Sequence, residues 1–95
     1  MQTKTSQEIK IFTPSMYHVV LYNDDKTTMD FVVEILIKIF NKTTNQAIET
    51  MLKIHNNGSE ICGTYIKEIA ITKLNLVKIA AQKANFPLRC DIKKG

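Results

Sequence analysis

Asn23, Asp24 and Asp25 occupy consecutive positions between an apolar run and an amphipathic one, so their side-chain oxygens share one short loop. Three acceptors in that space suit a cation with several N–H donors. Asn and Asp also hold ordinary turns through local backbone hydrogen bonds, which accounts for the same tripeptide without a ligand. His55 follows Met51 by one helical turn on an otherwise apolar face, where an imidazole needs a hydrogen-bond partner. It is either satisfied within the core or offers a further acceptor beside the carboxylates. Met29, Val32, Met51, Ile54 and Leu88 are ordinary core residues one by one; a pocket for an apolar side chain would differ only by a void among them.

Other chemistries fit less well. Paired aspartates after a strand can hold Mg²⁺ in a phosphoacceptor or hydrolase, with His55 as acid or base. The chain lacks a second acidic cluster, a Gly-rich phosphate loop and alternating βα units, so no catalytic residues are expected. Cys62 and Cys90 stand without a CxxC or a neighbouring His, which removes zinc-ligand spacing and leaves two buried thiols favoured over a disulfide. Neither metal nor cofactor is expected. Thirteen Lys and Arg against nine Asp and Glu give +4. Residues 61–95 hold seven bases against two acids, while 23–34 hold four acids against Lys26. A basic RNA-binding domain is the reading this motivates, but aromatic and basic residues do not interleave on a strand, so nucleic acid is not an expected partner.

Ninety-five residues, 44% of them apolar, fit one small domain with one core. No apolar run approaches the roughly 18 residues that cross a bilayer, and no leader pattern opens the chain, so the expectation is a cytoplasmic monomer without a membrane partner. Residues 1–15 are mostly polar up to Pro14 and read as a flexible arm; residues 16–95 form the core domain. YHVVLY at 17–22 reads as a buried strand. Thr27 with Asp30 matches a capping box ahead of a helix over about 28–40, and Thr43 with Gln46 repeats it ahead of a helix over about 44–57 that stops near Gly58. A short strand at 60–65, a helix over 67–84 closed by Asn85 and Pro87, and a half-buried strand at 88–92 complete the order β-α-α-β-α-β. The fold class is therefore α+β: a sandwich whose three-stranded antiparallel sheet is covered on one face by three helices.

From Met16 onward four motifs run in order: NDD-x-T-x-M-x-FV at Asn23, Asp24, Asp25, Thr27, Met29, Phe31 and Val32; ML-x-I-H ending at His55; G-x-x-x-CG-x-Y-x-x-E-x-A-x-TK from Gly58 to Lys73; and Pro87-Leu88. In this the chain resembles the ClpS family of bacterial protease adaptors. The resemblance implies an adaptor, not an enzyme, that binds N-degron proteins and peptides by a free α-amino group and a bulky first residue such as Leu, Phe, Tyr or Trp. It further implies delivery to the N-terminal domain of the ClpA unfoldase of ClpAP.

Carried over by position, the resemblance makes Asn23, Asp25 and His55 acceptors for the α-amino group and first peptide unit, with Asp24 adding negative potential. It makes Thr27, Met29, Val32, Met51, Ile54 and Leu88 the lining of the side-chain pocket, with Met29 as a gate against Ile and Val. Glu68 and Lys73 match the unfoldase contact. Three positions depart from the pattern. Thr28 stands where many members have Pro, Ile54 where Val is common, which narrows the pocket by a methylene, and Ile71 where Glu is frequent in the unfoldase-contact segment.

Overall fold

The computed structural model describes residues 14–95; residues 1–13, most of the expected arm, lie outside them, and Pro14 and Ser15 are exposed ahead of the first strand. The elements are β1 (Met16–Tyr22), α1 (Met29–Lys38), α2 (Thr44–Asn57), β2 (Ser59–Ile66), α3 (Lys67–Ala84) and β3 (Cys90–Lys94). The order is the expected one, and the sheet is antiparallel with β1 central, in the order β2-β1-β3.

Alternation along β1 decides the layers. Val19 and Leu21 are fully buried against the helices, while His18, Val20 and Tyr22 point to the other face. The core joins Val19 and Leu21 to Val32, Ile35, Leu36 and Phe40 near α1, Ala47 and Ile54 of α2, and Ala70, Val77 and Ala81 of α3. β2 carries a bulge opposite Val19 and Val20.

β1 and β2 extend a residue beyond their expected ends and β3 runs to Lys94, and three further boundaries differ from expectation near the site. Thr28, not Thr27, caps α1, its hydroxyl accepting from the Phe31 amide at 3.2 Å, so the Thr27–Asp30 capping box does not form. The reason is local: the Thr27 hydroxyl is already bonded to Asp24. α1 gives way at Ile39 to a terminal turn and left-handed Asn41 (φ 57). β3 begins at Cys90, not Leu88, although the Tyr22 amide still donates to the Arg89 carbonyl at 3.1 Å; Pro87, which has no N–H to extend the pairing, stands just ahead of Leu88. The Thr43–Gln46 capping box of α2 does form, with bonds of 3.2 and 3.1 Å.

The thiols of Cys62 and Cys90 are buried and free. They sit on the two edge strands with β1 between them, about 9–10 Å apart by strand spacing, beyond the reach of a disulfide. Burial pushes both up to about 12, which leaves them neutral and unreactive.

Candidate functional site

The site is built where β1 ends beside the C-terminus of α2. Gly58 closes α2 in the left-handed region (φ 89), a conformation that strains any residue with a Cβ, and its amide bonds back to the Ile54 carbonyl at 2.9 Å. The Gly58 carbonyl in turn accepts the Asn23 amide. That bond draws Asn23 and the loop it opens to the helix end that carries His55.

Asp24 organises the loop. One carboxylate oxygen accepts the amides of Lys26 and Thr27 at 2.8 and 2.7 Å, and the other accepts the Thr27 hydroxyl at 2.6 Å. Partial burial raises its pKa, but the Thr27 hydroxyl, the Thr27 and Lys26 amides and the Lys26 charge together outweigh that and hold it below the usual carboxylate value. Asp24 and Thr27 therefore spend their polar atoms on each other. Asn23, Asp25 and His55 are exposed, and the Asp25 carboxylate has no hydrogen-bond partner among the described residues. Free acceptors and a bound scaffold alternate along the same loop.

Beneath the loop the apolar residues converge. Val32, Ile54 and Leu88 belong to one buried cluster, with Met51 half-buried against it, while Met29 opens α1 at 46% exposure. Leu88 arrives from the segment between α3 and β3. The Phe86 ring packs on Phe31 at 4.9 Å between centroids, holding that segment against α1. Thus α1, α2 and the 86–89 segment each supply part of one apolar wall, next to the acceptors.

Glu68 and Lys73 lie elsewhere. Glu68, exposed in the first turn of α3, edges a shallow groove of about 340 Å³ with Pro14, Ser15, Tyr17, Ile66 and Lys67, at the end of β1 remote from Asn23. Lys73 is turned inward. Its ammonium donates to the Ile39 carbonyl at 2.6 Å, completing the C-terminus of α1, and stands 5.6 Å from the Tyr65 ring centroid. Gly63 makes room for that ring, since a Cβ there would fall within 2.6 Å of Tyr65 ring carbons. Sequence reasoning missed this Gly63–Tyr65–Lys73 assembly and the Thr28 cap; the first joins three elements and left no local signal. Among the described residues no three of His, Cys, Asp and Glu are grouped to hold a metal ion, and no helix is long and apolar enough to cross a membrane.

Residues 12–91 match the family model of the ATP-dependent Clp protease adaptor protein ClpS. The chain belongs to the ClpS family. It is 50% identical over 94 residues to the ClpS adapter of Campylobacter jejuni subsp. doylei, covering 99% of this chain and 98% of that one. It is 49% identical over 85 residues to the ClpS adapter of Lawsonia intracellularis, covering 90% and 78%. Among solved structures it is similar to Agrobacterium tumefaciens ClpS2 bound to L-phenylalaninamide, with a TM-score of 0.84 and 29% identity over 87% of this chain and all of that one. These relatives are named as adaptors of a protease, not as enzymes.

Proposed function

We propose that this ClpS chain captures proteins by a free α-amino group and a bulky hydrophobic first residue, Leu, Phe, Tyr or Trp, and delivers them to the ClpA unfoldase of ClpAP. The observation that carries the reading is the Asn23–Gly58 backbone bond, which brings the acceptor loop to the His55 end of α2 beside the Val32–Ile54–Leu88 cluster. The ligand of the similar ClpS2 structure, L-phenylalaninamide, combines a free α-amino group with one apolar side chain, the two features this arrangement suits.

Recognition must accept a free N-terminus and reject the same residue inside a chain. An α-ammonium has three donors and a positive charge, and an ordinary pKa of about 7.7–8.0 keeps it largely protonated near neutrality. Each charge-assisted hydrogen bond to Asn23, Asp25 or His55 is worth about 1.5–3 kcal/mol, whereas an internal amide brings one neutral donor and steric bulk. Burying a Leu or Phe side chain adds about 1.5–3 kcal/mol, and association costs offset several, so affinity falls in the micromolar to submicromolar range. Asp24 serves by holding Asp25 and Asn23 in place. Met29, at the rim, is the gate. Glu68 is the cleaner probe of unfoldase docking, because Lys73 is engaged inside the fold.

Fluorescence anisotropy with a Leu-starting peptide and its N-acetylated twin tests the reading. Acetylation removes most of the binding; equal affinity for the two peptides would overturn the assignment.

A further inference from the structure

The acceptor loop and the apolar wall reach the site on different stretches of chain, and one joint ties the two. Asn23 follows the end of β1, while Leu88 precedes the start of β3. Next to them the Tyr22 amide donates to the Arg89 carbonyl at 3.1 Å. Asn23 and Leu88 therefore each stand one Cα step, about 3.8 Å, from a residue of that bond. Beyond it the stretches part, because the Asn23 amide turns to the Gly58 carbonyl and the Phe86 ring packs on Phe31.

Side chains clasp the same joint. Tyr22 and Arg89 lie opposite each other one step past the Leu21–Cys90 pair, so both project from the face turned away from the helices while Leu21 and Cys90 point into the core. The Arg89 guanidinium stands 4.3 Å from the Tyr22 ring centroid and donates to Asp91 at 2.9 Å. A ring face and a carboxylate together fix the plane of a guanidinium. Lys93, 6.0 Å from the same ring, is a looser second cation. With 68% of its side chain exposed, Arg89 lies outside the core, and what it holds is the alignment of two backbones.

Resting on the function proposed above, we infer that Arg89, stacked on Tyr22, is a positioning residue: from the back of the sheet it fixes the spacing between Asn23, which takes the α-amino group, and Leu88, which takes the first side chain. Neither Arg89 nor Tyr22 touches the bound segment. A ligand that engages both halves at once depends on that spacing, whereas one that uses the acceptors alone does not.

Competition anisotropy on the full chain tests this with Leu- and Ala-starting peptides that are alike after the first residue. An Ala side chain is too short to fill the apolar wall, so its affinity reports the acceptors. Arg89→Gln weakens the Leu peptide by about two- to fivefold, the range of an exposed cation–π contact, and leaves the Ala peptide unchanged. Tyr22→Leu does the same, Tyr22→Phe keeps the ring and the parental affinity, and Arg89→Lys retains part of it. The Tyr22→Leu, Arg89→Gln double variant loses no more than either single one, because one contact is removed in all three. Equal losses for both peptides, additive losses in the double variant, or parental Leu affinity in Arg89→Gln overturn the inference alone. Failure of the Leu peptide to bind the parent chain overturns N-terminal capture and this inference with it.

Discussion

Asp24 and Asp25 are adjacent and chemically identical, yet the structure gives them different work, and a paired substitution separates the two roles. Asp25→Ala removes an exposed carboxylate with no hydrogen-bond partner among the described residues, so its loss leaves folding nearly untouched. Against an α-ammonium it forfeits one charge-assisted bond of about 1.5–3 kcal/mol, a loss of tenfold or more in peptide affinity. Asp24→Ala removes three hydrogen bonds, to the Lys26 and Thr27 amides and the Thr27 hydroxyl. Summed as charged bonds these would come to about 5–9 kcal/mol, most of a small domain's entire stability. The loop is wet enough for water to take over the freed donors, so about 1 kcal/mol, or a Tm lower by roughly 4–8 °C, is the realistic figure. Affinity falls as well, because Asn23 and Asp25 lose their fixed positions. Thermal unfolding and peptide anisotropy on both variants are the assays. Equal Tm losses, or an Asp24→Ala protein with parental stability and parental affinity, would refute the division between scaffold and acceptor.

Met29 lies 46% exposed at the start of α1, so Met29→Ala leaves Tm unchanged but widens the rim and improves Ile- and Val-starting peptides by about fivefold; unchanged Ile affinity refutes the gate. Gly63→Ala drives a methyl into the Tyr65 ring and costs about 1–2 kcal/mol, read as a lower urea midpoint; parental stability would show that the ring can move aside freely. Lys73→Met strands the Ile39 carbonyl at the end of α1 and costs about 1–2 kcal/mol of stability, with peptide affinity largely kept; a parental melting curve would place the ammonium outside the fold. The Cys62 and Cys90 thiols, raised by burial from 9.0 to about 12, favour the neutral form in the folded chain, so their contribution is intact below pH 9 and is lost as pH climbs from 9 towards 12. The urea midpoint should therefore fall between about pH 8.5 and 10.5 more steeply in the parent than in Cys62→Ala, and identical slopes would refute the assignment.

Much of the fold was legible because its determinants are local. The Thr43–Gln46 box fixed the start of α2, Gly58 and Asn85 marked two helix ends by their tolerance of the left-handed region, and the β-branched run before Asn23 marked β1. The start of α1 was misplaced by one residue because Thr27 and Thr28 are equally good caps in isolation; only the Asp24 carboxylate, by engaging Thr27, settles which hydroxyl is free. Likewise Leu88 alternates with Cys90 and Ile92 as a strand residue should, yet the last bond from β1 to this segment reaches the Arg89 carbonyl, and Pro87 ahead of Leu88 has no N–H to carry it further.

Residue types and order determined by themselves the layers of this protein, its family motifs and the acceptors and apolar groups proposed to meet a chain terminus. The tertiary structure decided which of those groups are free to act. Asp24, Thr27 and Lys73 are satisfied by partners inside the fold, while Asn23, Asp25 and His55 are left exposed, and Arg89 is set against Tyr22 across the sheet. A side chain has few donors or acceptors to give, and whether they are already taken depends on neighbours that folding brings close from anywhere in the chain.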